Sequence, residues 1–166
     1  MNIWDVIRQL SNFIDVSDPD VNIPNSHHAF QTAEGARLNN EPEWFQLTCL
    51  LHDLGKIMYL WGNDQTGTSN NQQWGIVGDT YILGCKIPDT IVYPEYNKLQ
   101  SDINHDSLGI YTKECGLDKC YITWGHDEYM YQILNHNSHT LPSESLYIIR
   151  YHSLYIWHTY NEYDMI

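Results

Sequence analysis

The chain has 166 residues, which is enough for one domain with a single hydrophobic core. Eight Lys and Arg residues against twenty-one Asp and Glu residues give a formal net charge of −13. This charge argues against non-specific binding to nucleic acid or to an anionic membrane, since both need a basic face. Apolar runs such as residues 47–51 are far shorter than the roughly 18–20 residues that span a bilayer, and the N-terminus lacks the pattern of a signal peptide. We therefore expect a cytoplasmic monomer without nucleic-acid or membrane partners.

Histidine, rather than cysteine, is the informative residue type. The four cysteines form no Cys-x-x-Cys pair, which disfavours a thiolate zinc site and predicts four free thiols. Nine histidines is a high number for this length, and several of them stand beside acidic residues. The sequence therefore directs attention to imidazole and carboxylate chemistry.

The first part of the chain is predicted to hold three helices. Residues 1–14 carry apolar side chains at helical spacing, whereas residues 17–26 are rich in Pro, Asp and Asn and are predicted to be a loop. Residues 28–38 contain good helix formers. Residues 41–61 begin with a Pro suited to a first helical turn and continue with an apolar face. We interpret them as one helix with a buried side.

The rest of the chain is predicted to combine irregular segments with further helices. The polar residues 63–73 are predicted to be a flexible insert. The remaining predictions, in chain order, are a loop with a short strand pair at 74–88, a loop at 89–106, a helix at 107–116 stopped by Gly116, a helix at 117–137 weakened by Gly125, and a helix at 141–166. The chain is therefore predicted to be a single, mostly α-helical domain over residues 1–166.

Four separate predicted helices carry histidines that can converge on a metal. They are His28, His52, which is followed by Asp53, His126 and His152. Side chains from facing helices are how a helical bundle builds a metal site. Imidazole and carboxylate ligands without thiolate suit iron, manganese or zinc. Taken alone, however, the His-Asp dipeptide is equally compatible with an ion-paired helix end.

The other candidates near these histidines are predicted to have structural or solvated roles. Lys56 follows His52 by one helical turn and lies on the same face, and Asp127 is expected to hydrogen-bond to backbone or to a neighbouring imidazole rather than to bind a metal. The remaining histidines are predicted to be at the surface (His27), solvated in loops (His105, His136 and His139), or either in the core or bonded to a ligand (His158).

Five segments of the sequence carry a family resemblance. They are HHAFQTAEGAR (27–37), LLHDLGKIMYLWG (50–62), WGIVGDTY (74–81), CGLDKCYITWGHDEYMYQ (115–132) and LYIIRYHSLYIWHT (146–159). HDLGK is shared by many HD phosphohydrolases, but the longer segments strongly resemble the myo-inositol oxygenase family, an oxygen-using branch of the HD-domain proteins. The resemblance implies an HD-domain-like helical bundle with a di-metal site in its core.

The resemblance also implies an activity and a set of site residues. The family uses a mixed-valent Fe(II)/Fe(III) pair and O₂ to open the ring of myo-inositol, giving D-glucuronate. By motif matching, His28 and His52 are expected to bind one iron, His126 and His152 the other, and Asp53 to bridge the two. Lys56 and Asp53 are the residues implied in catalysis. The implied substrate contacts are Asp15, Ser17, Lys56, Gly78, Asp79, His152 and Ser153.

Two departures from the family pattern concern the ends of the chain. Family members carry a segment before the part that matches this chain, and its substrate contact is expected to be missing here. The family's last iron ligand is an Asp in a motif that NEYD (161–164) matches, so Asp164 is the implied sixth ligand. A continuous helix would place it about 18 Å from His152. Asp164 is therefore a ligand only if the chain turns back after Thr159, and otherwise a water molecule or Glu162 takes its place.

Two other functions stay open at this stage. One is an HD-type metal-dependent phosphohydrolase, for which Lys56 and Arg37 are the main candidates to bind phosphate. The other is a shortened homologue with impaired activity or none.

Overall fold

A computed structural model describes residues 1–15, 22–61, 79–99 and 107–166. The described residues form two compact units, and each is described by itself. The first comprises Met1–Gly78 and Trp124–His152, and the second comprises Asp79–Thr123 and Ser153–Ile166. Most elements are helices, which confirms the predicted mostly α architecture. Within the described ranges, no helix is long and apolar enough to cross a membrane. The predicted flexible insert at 63–73 lies outside the described residues.

The described part of the first unit contains five α-helices. Their bounds are Ile3–Gln9 (α1), Asn25–Leu38 (α2), Glu43–Leu51 (α3), His126–Asn135 (α4) and Ser143–Tyr151 (α5). Two 3₁₀ helices, Leu10–Asn12 and Leu54–Trp61, extend or connect them. α1 begins with a capping box, in which Asn2 and Asp5 each bond to the backbone N–H of the other.

α3 and α5 begin and end with the same residue types, and their C-terminal ends contribute to the site described below. Each begins after a proline N-cap, Pro42 or Pro142, whose fixed φ suits entry into a helix. Each ends at a histidine C-cap, His52 or His152. A buried hydrogen bond of 2.8 Å from the Thr48 hydroxyl to the Ser145 hydroxyl oxygen joins the two helices. This bond between the two helices helps to fix the positions of their C-terminal ends, where the two histidines lie.

The hydrophobic core of the first unit lies among α1, α3, α4, α5 and the 3₁₀ segments. Its buried members are Ile7, Leu10, Phe13, Leu51, Leu54, Ile57, Tyr59, Met130 and Ile149. Three of them come from the stretch directly after His52, where the predicted single helix over 41–61 is wrong. The helix ends at Leu51, and the tighter 3₁₀ winding over Leu54–Trp61 turns Leu54, Ile57 and Tyr59 into the core.

Gly55 allows the 3₁₀ segment to pass very close to the start of α4. A Cβ atom at Gly55 would lie 2.0 Å from the backbone oxygen of His126 and 2.8 Å from its carbonyl carbon. Real Cβ atoms do not approach backbone this closely, so this position requires glycine. The close approach brings Lys56 and Asp53 next to the first residue of α4.

The second unit contains a two-stranded antiparallel sheet and irregular segments. Strand β1 (Ile82–Leu83) pairs with β2 (Tyr121–Ile122), with Ile82 opposite Ile122. The 3₁₀ helices Pro94–Leu99 and Leu117–Lys119 and the short helix Tyr155–His158 (α6) complete it. One short strand does lie within the segment predicted to hold a strand pair, 74–88. Its partner, however, comes from Tyr121–Ile122, so the predicted pairing within 74–88 is wrong for the described residues 79–88.

The predicted helix at residues 107–116 is wrong. Gly109 and Glu114 have φ values of 55° and 59°, in the left-handed region that a right-handed helix excludes. The segment forms turns, held in part by the Tyr111 hydroxyl, which donates to the Leu83 carbonyl. Local helix formers such as Lys113 are overridden here by this tertiary contact.

The other two long helix predictions in this region are too long. Within 117–137, Tyr121 and Ile122 join the sheet and Gly125, in an extended conformation, becomes the N-cap of α4. Within 141–166, α5 stops at Tyr151, and left-handed residues at Asn161 and Tyr163 turn the chain after α6. The turn after Thr159 therefore forms without glycine or proline.

Candidate metal centre

Four histidines from four helices meet in the first unit. His28 lies in the first turn of α2, His126 is the first residue of α4, and His52 and His152 cap the C-terminal ends of α3 and α5. The Nε2 atoms of His28 and His52 are 3.3 Å apart, and those of His126 and His152 are 3.4 Å apart. The predicted convergence of the four imidazoles is therefore present in the structure.

The C-cap position orients two of these rings. His52 Nδ1 donates to the Cys49 carbonyl at 2.6 Å, and His152 Nδ1 donates to the Ile149 carbonyl at 2.8 Å. Each bond spans three residues and uses a carbonyl that the helix end leaves without an intrahelical partner. Because Nδ1 carries the proton, Nε2 of a neutral ring presents its lone pair to the site.

Asp53 lies between the two histidine pairs and offers one oxygen to each. Its Oδ2 is 3.8 Å from His28 Nε2 and 3.7 Å from His52 Nε2. Its Oδ1 is 3.4 Å from His126 Nε2 and 3.2 Å from His152 Nε2. These atoms form two ligand groups, each of two histidines and Asp53, that can hold a metal ion.

The donor set fits two metal ions. With metal–nitrogen bonds of about 2.0–2.1 Å, two imidazole ligands of one ion lie about 3 Å apart, which is close to the two Nε2–Nε2 distances. The Nε2 lone pairs of His52 and His152 face oxygens of Asp53, so two hydrogen-bond acceptors oppose each other in each pair. Their repulsion is removed only when a proton or a metal cation lies between them. The ligand atoms are imidazole nitrogens and carboxylate oxygens, which suit iron, manganese or zinc.

Asp53 is also held from outside the histidine pairs. Asn25 Nδ2 and Lys56 Nζ both donate to Asp53 Oδ2 at 2.9 Å, and Lys56 Nζ makes a second ion pair of 2.9 Å with Asp15 Oδ2. All four residues are buried. Sequence reasoning missed Asn25, although its place three residues before His28 puts both on one face of α2.

The pKa values of the buried residues in this cluster depend on two opposing effects. Burial disfavours the charged form of each side chain, whereas a neighbouring opposite charge favours it. Burial opposes the charged form of Asp53, but the Lys56 ammonium and the imidazoles around it hold the pKa of its carboxyl well below the usual range. The same ion pairs outweigh burial at Lys56 and raise its pKa. Burial lowers the pKa of His52 to about 4. At His126 the Asp127 carboxylate outweighs burial and raises the pKa to about 10.

The His126 shift predicts the pH dependence of the metal-free protein. An unfolded histidine has a pKa near 6.5, so the raised folded pKa stabilises the fold fully below about pH 6.5. This contribution is lost as pH rises from about 6.5 through about 10. Urea unfolding in EDTA should show a falling free energy of unfolding over this range in the wild type. His126→Gln should lack that decline, and parallel profiles for the two proteins would contradict the assignment.

The structure places the other predicted site residues as follows. Asp79, Ser153 and Asp164 belong to the second unit. Asp79 Oδ2 accepts a hydrogen bond from the Val92 backbone N–H at 2.9 Å, and Asp164 is exposed. Gly78 and Ser17 lie outside the described residues. Neither of the two described ligand groups includes Asp164, so its predicted role as a ligand stays a prediction.

The other histidines and cysteines agree with most of their predictions. His27, His136 and His139 are exposed, and all four cysteines are free. His158 is also exposed, so of the two positions predicted for it the core position is wrong, and contact with a ligand stays a prediction. His105 lies outside the described residues.

Comparison with known proteins identifies the family. A family model described as "Myo-inositol oxygenase" matches residues 1–166. Inositol oxygenase of Mus musculus is 45% identical over 172 residues, and that of Homo sapiens is 42% identical over 172 residues. In both cases the match covers all of this chain and 58% of the relative. The Dictyostelium discoideum protein of the same name is 41% identical over 170 residues, covering 98% of this chain and 56% of the relative.

The match covers nearly all of this chain but only part of each relative. The chain spans less than two thirds of the length of these curated relatives. The segments that carry the two histidine pairs and Asp53 fall within the matched region, since the family match runs over the whole chain. On this evidence, the chain belongs to the myo-inositol oxygenase family.

Proposed function

We propose that the chain provides the di-iron centre of an oxygenase that cleaves the ring of myo-inositol. The reaction consumes one myo-inositol and one O₂ and gives one D-glucuronate and one water, a four-electron oxidation of the substrate. The proposal depends mainly on the position of the Asp53 carboxylate between the two histidine pairs. Its Oδ2 faces His28 and His52, and its Oδ1 faces His126 and His152. Family membership and the names of the relatives support the substrate.

In this proposal, the first metal position is formed by His28, His52 and Asp53 Oδ2, and the second by His126, His152 and Asp53 Oδ1. When bound, a mixed-valent iron pair supplies a Lewis acid for a substrate hydroxyl and electrons for O₂. The chain's own residues keep the two positions close together and exclude bulk water, since Asp53 is 1% exposed. Asp164 is proposed as a further ligand by motif matching alone.

Lys56 is proposed to hold the substrate next to the bridging carboxylate. Its ammonium lies between Asp53 and Asp15, and it is 3% exposed. Such a group can donate a hydrogen bond to an inositol hydroxyl or to the alkoxide formed from it, and Asp15 can accept one from a neighbouring hydroxyl. Further substrate contacts are proposed by motif matching at Ser17, Gly78, Asp79, His152 and Ser153.

Replacing Lys56 separates substrate binding from metal binding. Lys56→Met keeps most of the aliphatic stem and removes the charge. We expect two metal ions to be retained, because the bound cations then balance Asp53, while affinity for myo-inositol falls by about 10- to 100-fold, as expected for losing a charged hydrogen bond of about 1.5–3 kcal/mol. Anaerobic calorimetric titration of the iron-loaded protein with inositol measures this loss. An unchanged affinity would remove Lys56 from the substrate site.

The function itself is tested by turnover. The protein is reconstituted with Fe(II) without oxygen, partly oxidised, and then given myo-inositol and O₂. The proposal predicts O₂ uptake matched one to one by glucuronate, with neither in an Asp53→Asn variant. A wild-type protein that holds two irons and forms no glucuronate would contradict the proposed activity and favour a homologue with impaired activity or none.

The phosphohydrolase alternative gains no support from the site. Binding a phosphate anion needs positive charge, and the charge of the Lys56 ammonium is already balanced by the carboxylates of Asp15 and Asp53. A neutral inositol hydroxyl needs only a donor, and the ammonium has three. Arg37, the second candidate, is exposed and pairs with Glu34 on the same helix, α2. A cytoplasmic location, a monomeric state and an HD-type fold remain predictions from the sequence.

A further inference from the structure

An ion pair outside the proposed ligand set joins the two helices that form the second metal position. Arg150 Nε donates to Glu128 Oε2 at 2.6 Å, and Arg150 Nη2 donates to Glu128 Oε1 at 3.5 Å. Glu128 lies in the first turn of α4, two residues after His126. Arg150 lies in the last turn of α5, two residues before His152. The pair therefore links the ligand-bearing end of one helix to that of the other.

Neighbouring side chains hold this ion pair in place. Gln132 Nε2 donates to Glu128 Oε1 at 2.6 Å, and Arg150 Nη1 donates to the Tyr151 hydroxyl at 3.2 Å. The guanidinium carbon lies 4.5 Å from the centre of the Tyr131 ring and 5.4 Å from that of Tyr151, within the range where an aromatic face attracts a cation. The side chains of Arg150 and Glu128 are only 14% and 9% exposed. A largely buried network with both carboxylate oxygens engaged favours one arrangement of the two helices.

Stability alone explains this ion pair poorly. Taking two charges out of water costs free energy, and apolar side chains of similar volume often stabilise a fold equally well or better. The dipoles of the two helices favour Glu128 at the start of α4 and Arg150 at the end of α5, but that effect needs no contact between the helices. A guanidinium that donates two N–H groups to one carboxylate also fixes relative orientation. Such a contact is useful where two helices must pack in one defined register.

The second metal position requires such a register. Two imidazole ligands of one ion lie about 3 Å apart, and the Nε2 atoms of His126 and His152 are 3.4 Å apart. Because these histidines lie on α4 and at the end of α5, a slide or rotation of one helix against the other changes their separation directly. The imidazoles of the first metal position belong to α2 and to the end of α3. The same movement would therefore leave those two rings in place.

We propose that Arg150 and Glu128 are positioning residues, which set the geometry of the second metal position by fixing α4 to α5. This inference rests on the two-metal part of the proposed function but not on its substrate. Both residues act through the helices that carry His126 and His152, and neither is assigned as a ligand. Loss of the pair should therefore weaken the second metal ion selectively.

Cobalt binding measures this selectivity without any assay of activity. The metal-free wild type, Glu128→Gln, Arg150→Gln and the double variant are titrated with Co(II) without oxygen, and the visible absorption of bound cobalt gives the two dissociation constants. In each single variant we expect the second ion to bind about tenfold more weakly, the lower end of the effect of residues that support metal ligands. The first ion should bind as in the wild type. The double variant should bind the second ion no more weakly than either single variant, because the two residues act as one unit.

Two further variants control for a general loss of stability. Arg37→Gln removes an exposed ion pair with Glu34 on α2, the helix that carries His28, and should leave both dissociation constants unchanged. Arg150→Lys keeps the charge but loses the fork of the guanidinium, so it should bind the second ion more tightly than Arg150→Gln and more weakly than the wild type. The comparison of Arg150→Lys with the wild type decides the question if Arg150→Gln does not fold by circular dichroism.

The outcomes separate this inference from the proposed function. Equal weakening of both ions, an unchanged second ion, or additive losses in the double variant would overturn the positioning role. A wild type that binds a single cobalt ion would refute the two-metal part of the proposed function, and this inference with it. Two ions in the wild type with the expected variant behaviour, but no glucuronate from the iron form, would support the positioning role and refute the activity.

Discussion

Asp53→Asn should lose both metal ions while keeping nearly the same shape. The carboxamide has one acceptor oxygen, so it cannot bridge, and its NH₂ group would face one of the histidine pairs. It also removes the carboxylate charge that pairs with the Lys56 ammonium at 2.9 Å. Breaking a buried ion pair costs about 3–5 kcal/mol, so the metal-free variant should also be less stable. Metal analysis after desalting and urea unfolding of the metal-free protein measure the two effects.

Asp15→Asn is the matched control for this prediction. Asp15 is a buried carboxylate that makes an ion pair of the same length with Lys56, 2.9 Å, but it is not a member of either ligand group. We expect it to lower stability and retain two metal ions. If Asp53→Asn also retains two ions, or if Asp15→Asn loses them, Asp53 is not the bridge.

Gly55→Ala should damage the site without touching a ligand side chain. The added Cβ would lie 2.0 Å from the backbone oxygen of His126, so either the 3₁₀ segment or the start of α4 must shift. Overpacking typically costs about 1–3 kcal/mol. The shift also moves His126 relative to Asp53. We therefore expect a lower free energy of unfolding and loss of the second metal ion, with the first ion retained by His28, His52 and Asp53.

Gly35→Ala supplies the opposite control. Gly35 lies inside α2, and an added Cβ meets nothing within 4 Å. Ala should therefore stabilise the protein by about 0.5–1 kcal/mol through helix propensity, with metal content unchanged. Urea unfolding and metal analysis of the two alanine variants test both statements. Equal stability of the two variants would show that the close approach at Gly55 is not a constraint.

The sequence predicts the convergence of the candidate ligands better than it predicts the elements around them. The four histidines and Asp53 stand out because imidazole and carboxylate types are conspicuous in the sequence and because the longer motifs resemble a family. The helix ends were harder to predict. The apolar pattern predicts that His52 and His152 lie within long helices, whereas both cap helices that stop there. Apolar periodicity continues past both ends, since the following residues are buried in other conformations.

The residues that sequence reasoning missed or misplaced owe their roles to tertiary contacts. Asn25 follows a proline in a segment predicted as a loop, and nothing local indicates that its amide reaches Asp53. For Asp127, by contrast, the predicted hydrogen bond with a neighbouring imidazole is confirmed, since its Oδ1 lies 2.7 Å from His126 Nε2. Its position beside two imidazoles depends on how α4 and α5 pack. Similarly, Glu114 has no local signal for the left-handed turn that replaces the predicted helix at 107–116.

The most direct test of this account is the number of iron ions per chain. The metal-free protein is loaded with excess Fe(II) under nitrogen in the presence of myo-inositol, desalted, and analysed for iron and protein. The two histidine pairs and the divided carboxylate of Asp53 predict two iron ions per chain. One iron ion or none would mean that the two pairs do not act as separate metal positions, and would contradict the account at its centre.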